Sequence, residues 1–130
     1  MPRHSFQSWA MDMLACRYID GVGVKQSDKK AIELYEMAAK RGHATAQSTL
    51  GGFYNQGTHG LTQSSKRAIE YYTLAAEQGN ANAQYNLGSM YAKGEGIEQS
   101  LTKARELLKA AAQGYENAIY GLKTFDELGI

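Results

Sequence analysis

The sequence predicts an all-α, right-handed solenoid of about three and a half stacked helix pairs. Three observations predict it. An alanine pair recurs at a spacing of about 36 residues, at Ala38-Ala39, Ala75-Ala76 and Ala111-Ala112. A glycine follows each pair, at Gly42, Gly79 and Gly114. A tyrosine recurs at the same period, at Tyr18, Tyr54 and Tyr91, and a glycine-rich break follows each one. Self-similarity at a fixed period of roughly 20–50 residues marks a stack of supersecondary units, none of which buries its apolar face alone.

The first helix is expected over residues 5–20, with Phe6, Trp9 and Met11 on it and no earlier repeat to cover them. They are expected to fold onto the stack as a cap or to dock another protomer or a longer parent chain. Gly21-Val22-Gly23-Val24 ends this helix. Glycine suits a helix end because it adopts a positive φ without a Cβ clash. Ser27 then caps a second helix over 27–41, since its hydroxyl can accept from an orphan backbone N–H. Within it Ala31, Leu34-Tyr35 and Ala38-Ala39 fall on one helical face.

The pattern repeats twice. Helices are expected over 44–56, with Ala44, Ala46, Leu50 and Tyr54, and over 64–78, with Ala68, Tyr71-Tyr72 and Ala75-Ala76. Two more are expected over 81–93 and 100–113, carrying Ala81, Ala83, Leu87, Tyr91 and then Ala104, Leu107-Leu108, Ala111-Ala112. Gly51 and Gly88 recur inside helices, where glycine costs about 1 kcal/mol relative to alanine, so close backbone packing is expected there. A last helix over 116–128 continues the spacing through Ala118, Leu122 and Phe125 and covers the apolar end, with Asp126 and Glu127 making that end more soluble. The chain is thus expected to be one domain, 1–130, with repeats at about 5–42, 43–79 and 80–114 and a capping helix at about 115–130.

Composition is that of a soluble globular chain, 43% hydrophobic and 21% charged. The net charge of +1 and the interleaving of acids with bases argue against a nucleic-acid surface, which needs a basic patch. No apolar run approaches the roughly 20 residues of a membrane span. The N-terminus shows no apolar secretory core. One cysteine, Cys16, excludes an intramolecular disulfide and a thiolate-rich metal site, so a cytoplasmic location is the expectation.

The unit Ala-x-Ala-Gln-x-x-Leu-Gly-x-x-Tyr-x-x-Gly-x-Gly-Ile, followed by Lys-Ala and Ala-Ala, resembles the Sel-1-like repeat, a subclass of the tetratricopeptide-type helical repeats. Residues Ala81 through Ala112 carry it closely, Ala44 through Gly79 carry it apart from one extra loop residue, and about Leu14 to Gly42 carry its later part. The 13 residues from Tyr91 to Ala104 exceed an ordinary tetratricopeptide turn, and the proline that usually closes such a unit is missing. The resemblance implies an adaptor or scaffold for protein complexes. Secreted bacterial members with a cysteine pair in each repeat differ from this chain.

Residues that could carry chemistry have simpler explanations. The Gly-x-Gly motifs follow helices and recur with the repeat, whereas a dinucleotide fingerprint needs a preceding strand and a third glycine. They are turns. His4, His43 and His59 lack partners at metal-ligand spacing. Cys16 reads as a small apolar residue, and Glu33, Glu36, Glu70 and Glu77 as solvated faces. No catalytic residue, cofactor site or metal site is expected.

By helical geometry and by resemblance, the first helix of each pair lines a concave groove. The expected partner-binding residues are Thr45, Ser48, Thr49 and Asn55 (with Gly52), then Asn82, Tyr85, Asn86, Ser89 and Lys93, and Asn117 and Tyr120 (with Thr124) on the closing helix. Asp12, Met13 and Cys16 contribute from the first repeat. Such a groove is rich in amides and hydroxyls with two aromatic anchors, suited to a peptide or partner protein. Asparagine at position 86 matches a place where tetratricopeptide-type relatives hold an extended peptide. The expected function is protein–protein interaction by a monomer without enzymatic activity. The alternatives are a self-assembly module and a weak hydrolase, for which Cys16 with a histidine is the one conceivable pair.

Overall fold

The computed structural model describes the backbone of residues 3–113 and 116–129, and the side chains of residues 7–113 and 122–129. Among the described residues there are seven helices and no strands. They are α1 (Arg3–Asp20), α2 (Asp28–Lys40), α3 (Ala44–Gln56), α4 (Ser65–Glu77), α5 (Ala81–Lys93), α6 (Leu101–Ala111) and α7 (Glu116–Leu128). The expected spans agree to within two residues at each end. At Ser27, Ser64 and Ser100 the expected helix starts are caps and not helical residues; the other differences are α1 beginning at Arg3 and α2, α4 and α6 ending one or two residues early. Packing divides the chain into two compact units, residues 1–71 and 72–130, with the boundary inside α4.

In the first unit, α1 packs on α2 and α2 on α3. Ala15, Ala31, Ala38, Ala46 and Leu50 are fully buried, and Ile32, Tyr35 and Ala39 nearly so. The core is mostly alanine because helices that carry small residues approach toward the lower end of the usual separation, about 8–10 Å. Leu50 and Tyr35 supply the larger apolar area; burying such a side chain contributes about 1.5–3 kcal/mol. Phe53 meets Tyr35 edge-on, with centroids 5.8 Å apart. Tyr54 stacks on Tyr71 in the middle of α4, with centroids 5.9 Å apart.

In the second unit, α5 packs on α6 and α6 on α7. Ala75, Ala83, Ala104 and Ala111 are fully buried, beside Tyr72, Leu87, Met90 and Leu108. Gly88 explains itself here. A Cβ on it would meet the Ala104 carbonyl oxygen and Leu107 Cβ, each at 3.3 Å. The expected close backbone approach is therefore present in α5. Leu122 and Phe125 of α7 pack on Leu108 and Ala111. Asp126 is bonded to Arg105 at 2.8 Å, so it ties α7 to α6 where sequence alone suggested a solubilising role.

The turns follow one design in both units. Gly57 and Gly94 end α3 and α5 in the left-handed conformation, with φ of 66° and 70°. Ser27, Ser64 and Ser100 accept from the backbone N–H of Lys30, Arg67 and Lys103, each at 3.2 Å. That is the capping geometry expected of serine. The same basic residue lies over the tyrosine of its own repeat: Lys30 over Tyr18, Arg67 over Tyr54 and Lys103 over Tyr91, at 5.5, 5.4 and 5.4 Å. Each is within cation–π range.

Candidate functional site

The candidate surface is the side of each pair's first helix that does not pack on its second helix. In the first unit this side belongs to α3. Thr45 is exposed, and Thr49 and Asn55 are half-buried. Ser48 departs from expectation: it is buried, at 8% exposure. It belongs to the wide arc that α3 buries, which includes Ala46, Gln47, Ser48, Leu50, Gly51 and Tyr54. A helix buried over that much of its circumference has little side left for a partner. Gly52 is half-buried.

In the second unit the side belongs to α5. Asn82 and Lys93 are exposed, and Tyr85, Asn86 and Ser89 are half-buried. The Asn86 amide nitrogen donates to both the backbone carbonyl and the side-chain oxygen of Asn82, each at 2.8 Å. Its hydrogens are thus engaged one turn back along the same helix. Tyr85 rests against the Leu108–Ala111 cluster and contributes to the core as well as to the surface. Asn117 and Tyr120 lie on α7 outside the residues whose side chains are described; Thr124 is exposed.

Unit 1 brings together a polar cluster that the sequence did not reveal. Cys16 Sγ and Tyr35 Oη are 3.1 Å apart. His43 Nε2 lies 4.0 Å from Asp12 Oδ2. Asp12 and Cys16 are one turn apart on α1, so both project from the same side of that helix. Burial raises the Asp12 carboxyl above its ordinary 3.8, and His43 pulls it partly back. Burial, with the bond to Cys16 next, raises the Tyr35 hydroxyl. In α4, burial likewise raises Tyr71.

Cys16, expected as a small apolar residue, is exposed and hydrogen-bonded to Tyr35. His43 is half-buried beside the Asp12 carboxylate. The structure gives the cysteine a tyrosine and the histidine an aspartate. The two contacts join residues 19 and 31 positions apart, which no local spacing rule could have paired. His59 sits in the loop after α3, its ring centroid 4.1 Å from that of Phe53. Among the described residues no group of three His, Cys, Asp or Glu side chains is placed to hold a metal ion. No described helix is long and apolar enough to cross a membrane.

The repeat register, the glycine-ended loops and the serine caps together define a helical-repeat protein. The Sel1 repeat pattern matches residues 10–43, 44–80 and 81–115, and the chain belongs to the Sel1 repeat family. The fold is similar to the crystal structure of a Sel1 repeat protein from Oxalobacter formigenes, at 37% identity and a TM-score of 0.85, over 90% of this chain and 88% of that one. It is also similar to a protective antigen of uropathogenic Escherichia coli that displays an SLR fold, at 31% identity and a TM-score of 0.88, over 95% of this chain and 26% of that one. Cysteine-rich protein B of Helicobacter pylori shares the fold at 20% identity, with a TM-score of 0.72 over 88% of this chain and 87% of that one. No curated protein sequence matches the chain. Repeats of this Sel1 and tetratricopeptide-like fold commonly serve as protein-interaction scaffolds and are generally non-enzymatic.

Proposed function

We propose that this chain is an adaptor or scaffold module that captures a peptide or a partner protein through the first helices of its repeats. The observation that carries the reading is the chemistry of α5. Its open side presents Asn82, Asn86 and Ser89, uncharged amide and hydroxyl side chains, with Tyr85 beside them and Lys93 at the end. Amide and hydroxyl groups of this kind suit a peptide backbone, whose own groups alternate donor and acceptor. Tyrosine adds contact area at low entropic cost. Thr45, Thr49 and Asn55 repeat the same chemistry on α3. The Asn86–Asn82 bond supports a pre-set surface, because a side chain already held loses less freedom when a partner arrives.

The test is capture of partners from native lysate by the whole chain and by an Asn82→Ala/Asn86→Ala variant. These two positions spare Tyr85, which takes part in core packing. Loss of the captured protein with unchanged helical content and melting supports the reading. Undiminished capture by the variant defeats it.

A further inference from the structure

Two repeats can be laid in register on Tyr54 and Tyr91 and on Ala68 and Ala104. Tyr71 and Leu107 are then equivalent, as are Arg67 and Lys103, Glu70 and Glu106, and Lys40 and Glu77. In unit 1 the ring of Tyr71 stacks on that of Tyr54, their planes 11° from parallel. Arg67 lies over the same Tyr54 ring at 5.4 Å, so one tyrosine receives a cation and a second ring together. Tyr71 also packs against the core cluster that holds Ala39 and Leu50. Burial raises its hydroxyl, and so do the charges of Glu36 on α2 and Glu70 on α4. Its side chain therefore fills the groove between α2 and α4 over α3.

In unit 2 the corresponding groove is a hollow of about 410 Å³, walled by Ala76, Leu87, Tyr91 and Leu107. Lys103 lies over Tyr91 at 5.4 Å, as Arg67 lies over Tyr54. The ring is what is missing, because Leu107 stands in the place of Tyr71. Residues of α4, α5 and α6 all line the hollow, so its walls are complete. Its rim has changed charge as well: Glu77 replaces Lys40, leaving Glu77 and Glu106 with the single Lys103. Among the described residues neither acid is in an ion pair.

We propose that this hollow binds a small aromatic ammonium compound, one ring and one protonated amine on a short chain. The ring stacks on Tyr91 where Tyr71 stacks on Tyr54. The amine lies at the rim against Glu77 and Glu106, where a charge-assisted hydrogen bond to a carboxylate is the stronger kind. The ligand thus supplies the ring and the positive charge that Tyr71 and Lys40 contribute at the equivalent places. The hollow falls within the range of small-molecule sites, roughly 300–1,000 Å³. It is separate from the Asn82 and Asn86 surface of the adaptor reading, so either can fail without the other.

The probe is phenethylamine, a cation at neutral pH, titrated into the whole protein and followed by the amide NMR shifts of the chain. Hydrocinnamate, with the same ring and the opposite charge, is the control ligand. The expected result is saturable binding of one molecule per chain, with shifts centred on Tyr91 and Leu107, and at least tenfold weaker binding of hydrocinnamate. Leu107→Tyr supplies the ring from within and is expected to abolish binding. Glu77→Lys restores the charge of the unit 1 rim and is expected to weaken binding at least tenfold. Asn82→Ala/Asn86→Ala is expected to leave it unchanged. Circular dichroism checks that the Leu107→Tyr protein keeps its helices; Glu77 is exposed, so its substitution tests the site even where the tyrosine does not fit. No saturable binding, equal binding of hydrocinnamate, or binding that survives either substitution in a folded protein overturns the proposal.

Discussion

The backbone N–H of Ser100 donates to the carbonyl of Tyr91 across 2.9 Å, closing the loop between α5 and α6. The same bond joins Ser64 to Tyr54 at 2.8 Å and Ser27 to Tyr18 at 3.0 Å. One residue thus does three things: its backbone closes the loop, its side chain caps the next helix, and its position sets a cation over the tyrosine. The long loop that separates this repeat from its shorter relatives is therefore a closed, bonded turn.

Replacing Ser100 with alanine removes only the cap. The expected loss is about 1 kcal/mol, the usual worth of an N-cap hydroxyl. Lys103→Met removes only the cation over Tyr91 and is expected to cost about 0.5 kcal/mol, as for an exposed cation–π pair. Urea unfolding of each variant checks both, and a Ser100 effect smaller than that of Lys103 would contradict the capping assignment.

The loop glycine after α3 is tightly confined. A Cβ at Gly57 would sit 2.9 Å from Gln63 Cβ and 3.0 Å from the Gln63 backbone nitrogen, at a φ of +66°. At Gly42, also at positive φ, nothing lies within 4 Å. Gly57→Ala should therefore destabilise by more than the roughly 1–2 kcal/mol that left-handed backbone alone costs, and Gly42→Ala by no more than that. Thermal melting of the pair gives the comparison.

Gln47 is buried and gives its side-chain amide to the Ala39 carbonyl at 3.1 Å. That carbonyl, in the last turn of α2, also accepts from the Gly42 backbone N–H at 2.9 Å. Gln47→Leu keeps the volume and removes one of its two donors, so a loss of about 0.5–1.5 kcal/mol is expected. The test is the denaturation midpoint, with Gln47→Glu as a companion that also removes the donating group.

Asp12 gives a pH signature. Its folded carboxyl titrates above the ordinary 3.8 because burial disfavours the charge. The folded state then holds the proton more tightly than the unfolded state. The ionised group costs stability above the raised value, and the cost fades as pH falls through that value toward 3.8. Asp12→Asn should raise the melting temperature at neutral pH and flatten its dependence over that acidic window. A lower melting temperature at pH 7 would mean that the His43 contact outweighs the burial.

Much of the architecture was legible because helix ends are local. Gly57 and Gly94 mark C-termini and Ser27, Ser64 and Ser100 mark caps whatever surrounds them, so all seven helices fall where their residues indicate. The candidate surface was less legible. Thr45 and Asn82 are exposed, whereas Ser48 lies in the buried arc of α3 with Ala46, Gln47 and Leu50. Periodicity assigns a residue to a side of its own helix; it does not say how many neighbours that helix has.

The sequence by itself determined the all-α repeat, its period, its turns and its family, since these rest on spacing and on the conformational freedom of glycine and serine. Only the tertiary structure decided which polar groups meet. Cys16 found Tyr35, His43 found Asp12, and Gln47 found the end of α2. It also decided that Leu14 stands open where Leu50 and Leu87 are covered. The physical reason is that identical spacing gives each repeat the same face, while burial depends on whether a neighbouring helix is there to cover it.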